Sequence, residues 1–126
     1  MVEYTSGKPV NMITMASISQ TWLASQTGPM ACASRGGQVR RQVEDAVKAG
    51  ARAHIERQMF RADEPGSAWL MPQVLTDVDH NMAVMREESF GPVVAIVPVR
   101  DDAEAVWLMN DSVYGLTASI WTGDPE

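Results

Sequence analysis

A seven-residue apolar run, VVAIVPV from Val93 to Val99, leaves this chain few folds to choose from. It stands between Gly91-Pro92 and the charged Arg100-Asp101-Asp102. The run is too short for a stable helix and too rich in β-branched residues to prefer one, so it predicts a strand. No polar residue interrupts it, which predicts a strand covered on both faces, as in a parallel sheet. Helices must supply that cover, so the fold class is α/β.

The neighbouring segments read as those helices. In QVRRQVEDAVKAGAR, Val39, Val43, Ala46 and Val47 follow the spacing of one buried helix face, with Arg40, Arg41, Glu44 and Lys48 outside it. Ser34 is the N-cap candidate, and Gly50 is placed to end the helix in the left-handed conformation. DDAEAVWLMN predicts a second helix: Asp101 as N-cap, Glu104 three residues on, Ala105, Leu108 and Met109 toward the core, Asn110 at the C-terminal end. MAVMREE predicts about two further turns, ended by Gly91-Pro92. ARAHI, WLMPQVL and YGLTASIW read as extended, the second with Pro72 denying one ladder donor. TDVDHNM reads as a loop whose Asx residues can cap the MAVMREE turns. Helix alternating with strand predicts at least partly parallel pairing, in a small, mostly parallel sheet with flanking helices.

Residues 1–27 differ from the rest, with few charges and many Ser and Thr; Ile13, Met15, Ile18, Trp22 and Leu23 suit a helix of two or three turns. Gly28-Pro29 then breaks it. With 126 residues, 45% hydrophobic and 21% charged, one globular domain is expected. The net charge of −6 argues against a nucleic-acid partner, because no basic field is available to neutralise phosphates. No apolar run reaches membrane-spanning length, and the segment from Val10 to Gln26 is too interrupted by polar residues for a signal peptide. One cysteine, Cys32, permits no internal disulfide, so the expected location is cytoplasmic.

Few residues suggest chemistry. Cys32 lacks an evident basic partner and reads as inert. His54 and His80 are far apart, so no metal site is expected. The two glycines of RGG lack the spacing of a phosphate loop. Glu87 and Glu88 remain. Adjacent helical positions point about 100° apart, so they cannot act as one paired acid/base site. Negative charge at a helix C-terminus is also at the wrong end of the dipole. Solvation is one reading. The other is a ligand diol, since an ionised carboxylate accepts from two hydroxyls at once, with Phe90 as an apolar wall for an attached ring.

MREESFGPVVAIVPV followed by AVWLMNDSVYGLTASIWT resembles the aldehyde dehydrogenase superfamily, in its patterns E-E-x-F-G-P-V and N-D-x-x-Y-G-L-x-A. LMPQVLTDVDHNM is similar to the family's P-T-V-L-x-D-V with Gln73 in place of Thr. GPMA and VRRQVEDAVKAGAR resemble its G-P segment and its V-x-x-A-x-x-x-G-A helix end. The resemblance runs from Gly28 to Asp124 and leaves residues 1–27 unmatched. It implies that Glu88 binds the nicotinamide ribose of NAD or NADP, that Phe90 packs near the nicotinamide, and that Asn110 to Leu116 is a structural turn.

The family's G-Q-x-C nucleophile motif does not occur in this sequence, nor do its general-base glutamate, oxyanion asparagine and dinucleotide-binding domain. The expectation is therefore a truncated catalytic-domain piece with no catalytic residue and no cofactor of its own. Two alternatives accompany it: a module that self-associates through exposed cut surfaces, with Trp22, Trp69, Trp107 and Trp121 as candidates, or one piece of a split NAD(P)-dependent enzyme.

Overall fold

The computed structural model describes residues 2–6, 11–16, 33–115 and 118–122. Cys32, Trp22 and Leu23 lie outside these residues. Among them are strands β1 (Val2–Ser6), β2 (Asn11–Ala16), β3 (Arg52–Ala53), β4 (Gln73–Thr76), β5 (Val93–Val99) and β6 (Ala118–Thr122). The helices are α1 (Ala33–Lys48), α2 (Ala83–Arg86) and α3 (Asp102–Asn110).

The six strands form one sheet in the order β3-β4-β5-β2-β1-β6. β4 runs parallel to β5, with Leu75 beside Ala95, and β1 runs parallel to β6. The pairs β3–β4, β2–β5 and β1–β2 are antiparallel. The fold is α/β as expected, but the sheet is mixed rather than mostly parallel. Two of the three antiparallel pairs come from the N-terminal segment and the third from the short β3. Where the sequence predicts helix around Ile13 and Met15, the chain forms β2, which lies antiparallel to β5 with Ile13 opposite Val97.

β5 is the strand its composition predicts, yet its two faces differ. Val93, Ala95, Val97 and Val99 are buried, Val94 and Ile96 are half-buried, and Pro98 is exposed. The buried side meets Val39 and Ala46 of α1, Val84 and Met85 of α2, and Leu75 of β4 in one core; Val99 joins Ala105 and Leu108 of α3 in a second. The described helices therefore cover the odd-numbered face of β5.

α1 ends as predicted, with Gly50 at φ 113. Its buried stripe differs in detail: Gly36, Val39, Gln42 and Ala46 face inward, while Val47 is exposed. Arg40, expected on the solvent side, pairs with Asp63 and donates to the Ser67 and Trp69 carbonyls. Asp63 also accepts from Met71 N at 2.9 Å, so one ion pair ties α1 to the segment approaching β4. β3 is two residues long, and just beyond it His54 N still donates to Val74 O. The Gln73 carboxamide accepts from His54 N and Ile55 N and donates to Ile55 O.

Candidate functional site

The site nominated by the sequence lies where α2 hands the chain to β5. α2 is one turn, shorter than expected, and Glu87 caps it in an extended conformation (φ −107°, ψ 153°) while donating its N–H to Ala83 O. Glu87 and Glu88 are therefore not adjacent helical residues; they come after the helix. They still serve different ends. Glu87 accepts from Gln42 Nε2 at 3.1 Å, whereas Glu88 is exposed and makes no hydrogen bond among the described residues.

Burial alternates from there with the period of an extended chain. Glu88 is exposed, Ser89 is buried, Phe90 is 54% exposed and Gly91 is buried. Ser89 Oγ donates to Gln42 Oε1 at 2.6 Å. Gly91 sits against α1 so closely that a Cβ there would stand 2.8 Å from Val39 Cγ2. Ser89 and Gly91 are thus seated on α1, while Glu88 and Phe90, like Glu87, are exposed. The Phe90 ring carries the Arg35 guanidinium 5.1 Å from its centroid, a planar cation on an aromatic face.

The other nominated groups are elsewhere. His54 bonds Thr76 Oγ1 at 2.7 Å on the sheet edge. His80 meets Asp111 Oδ2 at 3.1 Å, and Arg86 donates to the same oxygen at 2.8 Å, which closes the loop before α2 onto the end of α3. Arg86 holds the Asp111 carboxyl below the usual carboxylate range, chiefly by that hydrogen bond. Asp79 is lowered too, by the backbone N–H of Asn81, as expected of an Asx loop. Among the described residues no three metal-ligating side chains gather. A shallow cleft beside α1, lined by Val39, Val43, Arg57, Leu70 and Met71, contains neither Glu88 nor Phe90.

Sequence reasoning singled out Glu87, Glu88 and Phe90 and missed Gln42 and Ser89, which bond to each other on the buried side of the segment. The available signal was a glutamine three residues after Val39, inside the buried stripe of α1.

Residues 10–126 match the sequence pattern of the aldehyde dehydrogenase family, so the match begins upstream of Gly28. The chain is 44% identical over 97 residues to a 4,4'-diapolycopene aldehyde oxidase of Methylomonas, covering 77% of this chain and 17% of that protein. It is 39% identical over 101 residues to an NADP⁺ succinate-semialdehyde dehydrogenase of Deinococcus radiodurans, covering 80% of this chain and 20% of that one. Its fold is similar to a Mycobacterium tuberculosis aldehyde dehydrogenase complexed with NAD⁺, with a TM-score of 0.66 and 35% identity, over 77% of this chain and 20% of that chain. The sequence thus spans about a fifth of the length of these relatives.

Proposed function

Because the chain belongs to the aldehyde dehydrogenase family, we propose that the segment from Glu87 to Gly91 is the ribose-facing wall of an NAD(P) site, and that these 126 residues oxidise no aldehyde by themselves. One observation carries the reading. Ser89 and Gly91 are seated on α1; of the exposed Glu87, Glu88 and Phe90, Glu87 is bonded to Gln42, which leaves the Glu88 carboxylate, with no hydrogen bond among the described residues, beside the Phe90 ring.

These residues fit the cofactor by chemistry. Glu88 offers two carboxylate oxygens, each able to accept from one hydroxyl of a ribose diol. Phe90 offers a ring face that already holds a planar cation, Arg35, and an oxidised nicotinamide is also a planar cation. Arg35 would have to leave the Phe90 face for a nicotinamide ring to stack on it. The bound dinucleotide supplies the hydride acceptor; Glu88 and Phe90 orient its ribose and ring. Aldehyde oxidation by this route also needs a thiolate nucleophile and a pyrophosphate clamp, and the sequence carries neither motif. A second polypeptide that bears those parts would complete the site.

The test is formation of reduced nicotinamide by the purified chain, with NAD⁺ and with NADP⁺, across a panel of aldehydes. No turnover above buffer is expected. Turnover that disappears in Glu88→Gln would overturn the inert reading.

A second reading, self-association, rests on exposed apolar residues on and after α3: Val106, Trp107, Val113 and Tyr114.

A further inference from the structure

We infer that Gln42 is the positioning residue of this site: one buried carboxamide holds both neighbours of Glu88 and so presents Glu88 and Phe90 outward. The inference rests on the ribose reading above for what is presented to what. Its structural part stands on the geometry of α1.

Gln42 is 4% exposed and lies among Val39, Val43 and Ala46 on the buried face of α1. A carboxamide there is costly unless both ends are paired. Both are. Its oxygen accepts from Ser89 Oγ at 2.6 Å, and its nitrogen donates to Glu87 Oε2 at 3.1 Å. The partners are the residues on either side of Glu88, 45 and 47 positions away in sequence. Glu87 is itself exposed, but its carboxylate is tied back to Gln42; with it and the buried Ser89 both bonded to that side chain, Glu88 is directed away from α1. Gly91 repeats the device one step on. It packs on Val39, three residues before Gln42, so Phe90 lies between two seated neighbours, Ser89 and Gly91.

Only a carboxamide meets both demands. Leucine fills similar space but leaves the buried Ser89 hydroxyl without its acceptor and releases Glu87. Glutamate still accepts from Ser89 but faces the carboxylate of Glu87. The direction of the two outward side chains is thus set by a helix, before any ligand arrives, which is preorganisation of a binding wall.

The experiment uses the full 126-residue chain, ¹⁵N-labelled, with NAD⁺ as the probe. Two quantities are read: the NAD⁺ response of the Glu88 and Phe90 amides, and hydrogen-exchange protection across residues 87–91. In the wild type, NAD⁺ supplied in large excess, because the sequence carries no pyrophosphate clamp motif and the contact is weak, is expected to move those two amides while the β4 and β5 amides stay still. Gln42→Leu, and Ser89→Ala as the milder variant, are expected to reduce protection of 87–91, leaving that of β4 and β5 unchanged. Gln42→Leu should weaken the NAD⁺ response roughly tenfold, the scale of one to two net hydrogen bonds. The exchange Gln42→Glu with Glu87→Gln reverses donor and acceptor across the same contact and keeps an acceptor for Ser89. It should restore the response to within about twofold, which a merely space-filling role for Gln42 would not do. Wild-type protection and response in both Gln42→Leu and Ser89→Ala, or no rescue by the exchange, would overturn the inference. If the wild-type Glu88 and Phe90 amides ignore NAD⁺, the ribose reading fails instead. The clamp is then decided by protection alone: lost in Gln42→Leu it stands, retained it falls.

Discussion

Asp111 sits between the Arg86 guanidinium and the His80 imidazole, and its own titration reports the contact between α3 and the chain at α2. Arg86 donates to Oδ2, and His80 Nε2 lies 3.1 Å from the same atom. The hydrogen bond from Arg86 is the main reason the carboxyl is held below its ordinary value of 3.8, with desolvation opposing it. A depressed folded value means the contact stabilises the fold fully above the unfolded value and is lost as pH falls through the folded one. Carboxyl NMR should therefore place the Asp111 midpoint below 3.8, and Arg86→Ala should bring it back up. An unmoved midpoint in that variant would show that Arg86 is not the cause. Gly91 is a second residue with a sharp expectation. Its Cβ position is filled by both Val39 γ-carbons, at 2.8 and 2.9 Å, with Leu70 Cδ2 at 3.1 Å. Gly91→Ala should lower stability by about 2 kcal/mol in a denaturant titration, the usual scale of overpacking. At this scale the sequence revealed outward residues better than inward ones. Glu88 was legible because charge after a helix C-terminus calls for a reason, and Phe90 because it lies two residues on. Gln42 and Ser89 were not legible, because a hydrogen bond across 47 positions leaves no local periodicity.

Elements whose ends are determined locally could be read closely. Asp101 caps α3 by accepting from Glu104 N at 2.8 Å, as its spacing predicts. The reciprocal half differs: Glu104 accepts from Arg100 N and Nε, not from its cap residue. Asp101→Ala should destabilise by about 1 kcal/mol, the ordinary value of an N-cap. A larger change belongs to the tie between α1 and the segment before β4. The Arg40 and Asp63 side chains are 14% and 9% exposed, and Arg40 Nη1 is already buried without a partner among the described residues. Asp63→Ala leaves that guanidinium uncompensated and should cost about 3 kcal/mol. Arg100→Ala, which removes an exposed and solvent-screened pair, should cost far less. Equal losses from the two would mean the buried pair is not the stronger tie. Neither side of this tie shows in the pattern, since Arg40 has the spacing of a solvent-facing residue. The two faces of β5 were likewise hidden: an unbroken apolar run does not say which side the helices take.

At the scale of the molecule, local pattern gives the elements and long-range pairing gives their order. β2 belongs beside β5, with Ile13 in register with Val97, and nothing within residues 11–16 announces a partner so distant in sequence. The helix expected there came from apolar spacing alone, which a strand inserted between two others can equally carry. The same scale decides what the chain does with its remaining apolar surface. Trp107 is 64% exposed on α3, and Val106, Val113 and Tyr114 are exposed near it in sequence. Apolar side chains left open together favour association. A tryptophan contributes most to such a contact because it is large and rigid. Light scattering coupled to size exclusion should therefore find the 126-residue chain larger than one copy at high concentration, dissociating on dilution. Trp107→Ser combined with Val113→Ser should shift it toward the monomer without altering far-ultraviolet circular dichroism. Gln42→Leu should leave the association unchanged, because Gln42 is buried in the clamp on α1 and takes no part in the exposed patch. A wild-type chain that stays monomeric at its highest soluble concentration would remove self-association as a reading and leave the NAD(P)-site wall as the function to pursue.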